Sequence, residues 1–253
     1  MFVAVDIGNS NIVVGIYHNK EWKHLWRWET HEAETELFYT SHIANAFLES
    51  GLAVSSTDKI GMCSVVPEIT LKMQQALQKL FRKEVYMLEP AETKKIHVSK
   101  SQCREIGSDL VANSIAGYRT FSEGCIIVDF GTALTFTVVS GKGNIIGVNI
   151  LPGIKTAIKA LHGNTSKLPH VPIQLPNSKI GKDTITAIQS GVLWGYTGLI
   201  REMIKMIREE MMQDLPVIAT GGLSTTLVTL KEDFAQIRPE LTLEGLRIEF
   251  TEA

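Results

Sequence analysis

Phe2-Val3-Ala4-Val5-Asp6-Ile7-Gly8-Asn9-Ser10-Asn11 decides how this chain is read, because Cys125-Ile126-Ile127-Val128-Asp129-Phe130-Gly131-Thr132 repeats its pattern near the middle of the 253-residue sequence. Each stretch is a short, β-branched apolar run that ends on an aspartate and then a glycine turn, as a buried strand does. One Asp-x-Gly turn in each half predicts a duplicated α/β fold gripping a phosphate chain and its cation.

Working outward, Asn11 to His18 and Trp22 to Trp28 continue the first strand as a meander, with a polar turn at His18 to Glu21. A helix is expected over Glu32 to Ser50, with Leu37, Ile43, Ala44 and Phe47 as its apolar stripe. Lys59 to Val66 reads as a buried strand, Glu68 to Phe81 as a helix, Glu84 to Leu88 as a strand and Asp109 to Thr120 as a helix. The second half repeats this order. Strands are expected at Ile126 to Asp129, Leu134 to Val139 and Ile145 to Ile150, then a helix opened by Pro152 through Leu161. Residues 164–182, with three prolines, read as a long loop of the kind that often carries function. Asp183 to Met212 reads as one long helix or a pair broken near Gly191 and Gly195. Val217 to Thr220 is a strand, Gly221-Gly222 a turn, and Ser224 to Leu230 a short helix. The expected division is 1–118 and 119–253, joined near Tyr118 to Gly124.

Composition narrows the function classes. At 44% hydrophobic and 21% charged, with a net charge of −2, the chain can build a full core and shows no basic patch for nucleic acid. Asp6 and Asn9 interrupt the apolar start, so no secretory leader is expected. No run approaches the roughly 20 apolar residues of a membrane span. Cys63, Cys103 and Cys125 form no metal or disulfide spacing, and a cytoplasmic location is the expectation. His97, His162 and His170 lack ligand spacing and read as surface or loop residues. Trp22, Trp26 and Trp28 alternate on one strand, which points to core or a subunit interface.

The chemistry concentrates in a few turns. Gly8 gives the first turn freedom to expose backbone N–H groups to an anion, with Asn9, Ser10 and Asn11 as neutral donors. Asp6 can approach a polyphosphate only with a cation between them, and Mg²⁺ suits one carboxylate plus phosphate oxygens and water. An ordinary hairpin with a solvated Asp is the alternative. The turn from Asp129 through Gly131 and Thr132 to Thr135 follows the same logic. In Gly107-Ser108-Asp109-Leu110, Ser108 or Asp109 suits a helix N-cap, and Asp109 also suits a general base for a hydroxyl proton. Gly221 and Gly222 open a strand–helix turn to a flat ring or a phosphate. Thr184 could cap a helix or bind a ligand.

Together these pieces resemble the type III pantothenate kinase family. The matching stretches are Asp6 to Asn11, Cys63-Ser64-Val65-Val66-Pro67, Gly107-Ser108-Asp109, Val128-Asp129-Phe130-Gly131-Thr132-Ala133, Leu151-Pro152-Gly153-Ile154, Gly181-Lys182-Asp183-Thr184 and Thr220-Gly221-Gly222, in order along nearly the whole chain. The resemblance implies two ribonuclease-H-like halves, as in actin, Hsp70 and sugar kinases, and a homodimer that phosphorylates pantothenate with ATP as the first step of coenzyme A synthesis. By position, the turn from Asp6 would hold ATP phosphates and divalent metal. Asp109 would accept the proton, and Asp129 would bind a monovalent cation, potassium or ammonium. Thr132, with Gly131, Gly221 and Gly222, would contact ATP. Gly107, Ser108, Asp109, Leu110 and Thr184 would line the pantothenate site.

The chain departs from the family pattern on the acceptor side. Leu110 stands where the family has Arg, which removes a guanidinium and its charge-assisted hydrogen bonds. Lys100 and Arg104 are the nearby candidates to replace that charge. Thr135-Phe136-Thr137 stands for Thr-Phe-Asp, Gly147-Val148 for Gly-Gly, and Ser99 to Cys103 for a Tyr-x-x-Pro stretch. A divergent, non-catalytic homologue of the Bvg accessory factor type is therefore the alternative function.

Overall fold

A computed structural model describes residues 1–252. They form two units, 1–116 with 241–252, and Gly117–Glu240. Each is built on a five-stranded sheet.

In the first unit, β1 (Phe2–Ile7), β2 (Asn11–His18) and β3 (Glu21–Glu29) form the expected antiparallel meander. Helix α1 (Glu36–Glu49) leads to β4 (Lys59–Ser64), α2 (Pro67–Phe81) leads to β5 (Val85–Met87), and α3 begins at Ser108 and ends at Thr120. The order is β3-β2-β1-β4-β5, with β4 parallel to both β1 and β5. Alternation along β1 sends Val3, Val5 and Ile7 into a core with Ile43 and Phe47 of α1 and Ile69, Met73 and Leu77 of α2. Phe2, Ala4 and Asp6 therefore face the opposite side.

The start of the first helix and its buried stripe differ from the sequence reading. Helix α1 starts four residues late, because Thr35 caps it by accepting the Phe38 N–H. Its buried stripe is Tyr39, Ile43, Ala46 and Phe47, and Leu37 is left 66% exposed. Two of the three tryptophans share a face, as their alternation implied, and a bulge in the β2–β3 pairing sets the third apart. Trp26 and Trp28 pack on the α1 side, and Trp22 turns to the other face, where its indole N–H donates to Glu244 at 3.2 Å.

Glu244 belongs to a helix that the sequence reading did not separate, here termed the C-terminal helix (Leu241–Thr251). It lies on the Ala4 face of the first sheet. An added Cβ on Gly15 would meet Leu243 and Trp22, one on Gly61 would meet Phe250, and one on Gly245 would meet the main chain of Ala112. Lys59 Nζ donates to the Phe250 carbonyl at 2.6 Å, and Thr242 Oγ1 to Asn113 Oδ1 at 2.9 Å. Residues 241–252 thus pack with the first unit, although a cut at 118/119 would assign them to the second.

The second unit repeats the first strand for strand. β6 (Gly124–Phe130), β7 (Ala133–Ser140) and β8 (Ile145–Pro152) form a meander. α4 (Ile154–Gly163), α5 (Thr184–Met211), β9 (Val217–Thr220) and β10 (Gln236–Ile237) follow. The order β8-β7-β6-β9-β10, with β9 parallel to β6 and β10, matches the first sheet in order and direction. Val128, Phe130, Leu134 and Phe136 pack with Ile154, Ile188, Leu193 and Ile200 in its core.

Pro152 ends edge strand β8, where a missing N–H is tolerated, and Gly153 rather than Pro152 introduces α4. Helix α5 is unbroken through Gly191 and Gly195, and starts at a capping box between Asp183 and Thr186. The proline-rich loop is strapped along it: Gln189 Nε2 donates to the Pro172 carbonyl at 3.1 Å, and Ser190 Oγ to that of Ser178 at 2.9 Å. The helix expected at Ser224 is replaced by a turn closed on Gly221, then a 3-10 segment at Val228–Asp233. Among the described residues no helix is long and apolar enough to cross a membrane.

The glycine-lined seat of the C-terminal helix gives a stability prediction. Gly245→Ala must push the helix off the Ala112 carbonyl and should cost about 1–3 kcal/mol, as overpacking does. Gly147→Ala, which adds its Cβ into open space, should stay within about 0.5 kcal/mol of the parent. Urea denaturation of the two variants checks this, and equal midpoints would contradict the packing described.

Candidate active site

In the first unit the site begins with strand register. Asp6 and Cys63 are direct partners in the parallel β1–β4 pair, so both side chains leave the sheet on the same face. The Cys63 thiol donates to Asp6 Oδ1 at 3.4 Å. Burial pushes that thiol far up from its ordinary pKa, and the charges of Asp6 and Asp109 push it further. Cys63 therefore feels both carboxylates, Asp6 through a hydrogen bond and Asp109 through its charge. It is fully buried and protonated, and behaves as a small apolar spacer rather than a nucleophile.

The turn after Asp6 is braced from behind. Gly8 N–H donates to the Asn11 carbonyl at 3.0 Å, and Thr30 ties the turn to β3 through Oγ1 on the Gly8 carbonyl (2.7 Å) and N–H on that of Ser10 (3.1 Å). Asn9 and Ser10 are exposed. Gly8 does not use the left-handed backbone region, contrary to the reason given for it from sequence. Glycine is favoured there by space, since a Cβ would stand 3.2 Å from the Asn11 carbonyl.

Asp109 sits in the first turn of α3. Burial raises its pKa, opposed by the N–H groups of Leu110 and of Asp109 itself, the former at 2.8 Å from Oδ1. A Cβ on Gly107 would run into Asp109 Oδ1, so that glycine leaves the room the carboxylate occupies. Ser108 binds the main chain of Ser64: its Oγ accepts the Ser64 N–H at 3.2 Å and donates to the Ser64 carbonyl at 3.1 Å. Leu110 is half-buried on the next position, and Lys100 and Arg104 are both exposed. Burial and backbone N–H groups, not a cation, set the Asp109 carboxyl.

The second unit holds its own cluster. Asp129 pairs with Thr135 of β7 and Thr220 of β9, so the three side chains form one row on one face. Gly221 has φ of 89°, and a Cβ there would meet Asp129 Oδ1 and the Phe130 main chain. Gly131 and Thr132 are exposed at the turn, which is backed by Gly153 N–H (2.9 Å) and Thr156 Oγ1 (2.7 Å) on the Thr132 carbonyl. Gly222 is exposed beside Gly221. Thr135 Oγ1 and Thr137 Oγ1 are buried without a hydrogen-bond partner. A buried hydroxyl left so calls for a partner such as water or a cation.

Thr184 is not in that cluster. It begins α5 and lines a cleft of about 610 Å³ with Leu161, Leu168, Gly181, Lys182, Asp183 and Val192. Leu161 lies near the end of α4 remote from Thr156 and the Thr132 turn, so most of that ten-residue helix separates the two places. His97, His162 and His170 are exposed, as expected of surface and loop residues.

Among the described residues no group of three or more His, Cys, Asp or Glu side chains could hold a metal ion by itself. The donor set at Asp6, one half-exposed carboxylate with neutral donors beside it, fits Mg²⁺ bound jointly with phosphate oxygens. The carboxylate and unpartnered threonine oxygens at Asp129 fit a cation with oxygen ligands.

Comparison with known proteins gives the family and the fold. A type III pantothenate kinase family profile matches residues 2–206. The chain belongs to this family. Among solved structures, a Baf family transcriptional activator from Campylobacter jejuni is similar at 22% identity and TM-score 0.60, covering 99% of this chain and 98% of that one. The ethanolamine utilization protein EutJ from Carboxydothermus hydrogenoformans follows at 16% identity and TM-score 0.56, covering 98% and 89%. The activator of 2-hydroxyisocaproyl-CoA dehydratase from Clostridium difficile, solved with ADPNP, matches at 10% identity and TM-score 0.54, covering 97% and 92%. At these identities the likeness is one of fold, the duplicated ribonuclease-H-like fold of actin, Hsp70 and sugar kinases.

Cys63, Ser64 and the Ser108 bridge are the site features that sequence reasoning missed. Cys63 and Ser64 stood within a quoted motif, but only the β1–β4 register shows what they touch.

The raised Asp109 pKa carries a stability consequence. In this window the native state holds the proton more tightly than the unfolded chain, so stability falls as pH rises through it. Asp109→Asn should raise the melting temperature at pH 7, and the gain should vanish below the ordinary Asp range, about 3.9. Thermal unfolding of both proteins across pH reads this; a variant less stable than the parent at pH 7 would contradict it.

Proposed function

We propose that this chain transfers the γ-phosphoryl group of ATP to the terminal hydroxyl of pantothenate. The observation that carries the reading is a pair of carboxylates in the first unit that both act on the buried Cys63 thiol: Asp6 at a phosphate-type turn, and Asp109 made more basic by burial. Membership in the type III pantothenate kinase family supports the choice of acceptor.

Phosphoryl transfer asks the protein mainly for positioning and electrostatics. The exposed Asn9–Ser10 tip of the turn would offer donors to phosphate oxygens, Gly8 N–H and the Asn11 amide being committed to the Asn11 and Trp28 carbonyls, and Asp6 would hold Mg²⁺, which neutralises charge on the transferring group. Asp129 would hold potassium or ammonium, with the Thr135 hydroxyl as a further oxygen ligand. Gly131, Thr132, Gly221 and Gly222 would contact ATP. Asp109 would accept the hydroxyl proton as the oxygen attacks, and a carboxyl raised above its ordinary pKa is a better base than a solvated one. Gly107, Leu110 and Thr184 would line the acceptor site, and the working form would be a homodimer. Three cysteines without disulfides suit a reducing compartment such as the cytoplasm.

A second reading is favoured by Leu110 and by the similar Campylobacter jejuni protein described as a transcriptional activator. A regulatory homologue would keep the fold and lack turnover. ADP formation with and without pantothenate separates the two. The kinase reading expects acceptor-dependent turnover of about 1–100 s⁻¹, and a loss of about 10²- to 10⁴-fold in Asp109→Asn, the usual worth of a general base. No ADP formation with or without pantothenate, or turnover that appears only in Leu110→Arg, would support the other reading, and acceptor-independent ADP release would contradict both.

A further inference from the structure

We propose that the Ser108 hydroxyl is a positioning group, which completes the end of β4 and so fixes where the Asp109 carboxylate stands. The argument starts from unpaired main chain. β5 runs beside β4 only as far as the Met62–Met87 pair, after which the Leu88 N–H returns to the Met62 carbonyl. Ser64, the last residue of β4, has no strand partner on that side. On the other side the ladder continues, with Val65 N–H on the Ile7 carbonyl at 3.0 Å.

Ser108 fills the gap. Its hydroxyl accepts the Ser64 N–H and donates to the Ser64 carbonyl, so one side chain satisfies the two main-chain groups that a longer parallel β5 would have met with two successive partners. Ser108 is buried, and its one donor and one of two lone pairs are thereby committed to Ser64. Ser64 is held in turn: its Oγ accepts the Val66 N–H at 3.2 Å and the Thr70 hydroxyl at 2.8 Å, which anchors it to the start of α2.

The bridge therefore joins the end of β4, the strand that carries Cys63 against Asp6, to the first turn of α3, which carries Asp109. Gly107 on the other side of Ser108 leaves the space for that carboxylate. Further along α3, Asn113 and Ala112 are seated against Thr242 and Gly245 independently of the bridge. Loss of the hydroxyl should loosen the first turn of α3 without releasing the helix.

This inference rests on Asp109 as the proton acceptor only for its effect on rate, so the experiment has two readouts. The first is the ¹³C titration of the Asp109 carboxyl by NMR, assigned by its loss in Asp109→Asn, and it needs no turnover. The ionisable group that links Asp109 to this face is Cys63 of β4, whose thiol feels the charges of both Asp109 and Asp6. Ser108→Ala should let water reach the carboxyl and lower its midpoint toward the ordinary 3.9 or so. The second readout is turnover: kcat should drop by up to about 10²-fold, the loss that a misplacement of about 1 Å can cause, with KM for ATP unchanged. Ser108→Thr should restore both. If Ser108→Ala does not fold, the shape-matched pair Ser108→Thr and Ser108→Val makes the same comparison.

An Asp109 midpoint in Ser108→Ala equal to the parent's overturns the proposal, whatever happens to kcat. A parent-like rate in Asp109→Asn would instead sink the assigned base and leave the titration to decide the bridge.

Discussion

The parallel pairing of β1 with β4 is the constraint on which the candidate site depends. It sets Asp6 beside Cys63 on the face away from the α1–α2 core. A slip of one residue would send Asp6 into that apolar core, where an unpaired carboxylate is costly. The apolar alternation of Val3, Val5 and Ile7 thus protects the register, and the register places the carboxylate. Everything on that face then needs thin neighbours: Gly61 and Gly15 let the C-terminal helix lie close, and Gly107 makes room for Asp109.

Much of the fold was legible. The meander strands, α2, α5 and β9 were readable because their apolar runs are bounded by turns, proline or glycine. The duplication was readable because Asp6-Ile7-Gly8 and Asp129-Phe130-Gly131 end equivalent strands. The C-terminal helix was not. Its role depends on contacts more than a hundred residues away in sequence, such as Thr242 with Asn113 and Phe250 with Lys59, and no local pattern announces them. Leu37 misled for the opposite reason, since a leucine in a helix can remain in water.

The two turns that first looked alike reach their shapes differently. Gly8 is small because the Asn11 carbonyl is close, and Gly221 is left-handed because the chain must reverse beside Asp129. Asp6 stands against a buried thiol, whereas Asp129 lies in a row with threonines and near unpartnered hydroxyls. Sequence could match the turns, but not this difference in what surrounds each carboxylate, because strand partners supply it. Ser108 shows the same limit: helix cap and ligand contact were both legible readings, and the bond to Ser64 required knowing where β5 stops.

The central claim is that the carboxylate pair serves transfer of phosphate to a hydroxyl. ³¹P NMR of pantothenate incubated with ATP, Mg²⁺, potassium and the protein tests it most directly. The account predicts a new phosphomonoester resonance coupled to the terminal methylene protons of pantothenate, appearing in step with ADP. Unchanged pantothenate, with ATP either intact or converted to ADP and inorganic phosphate, would contradict it.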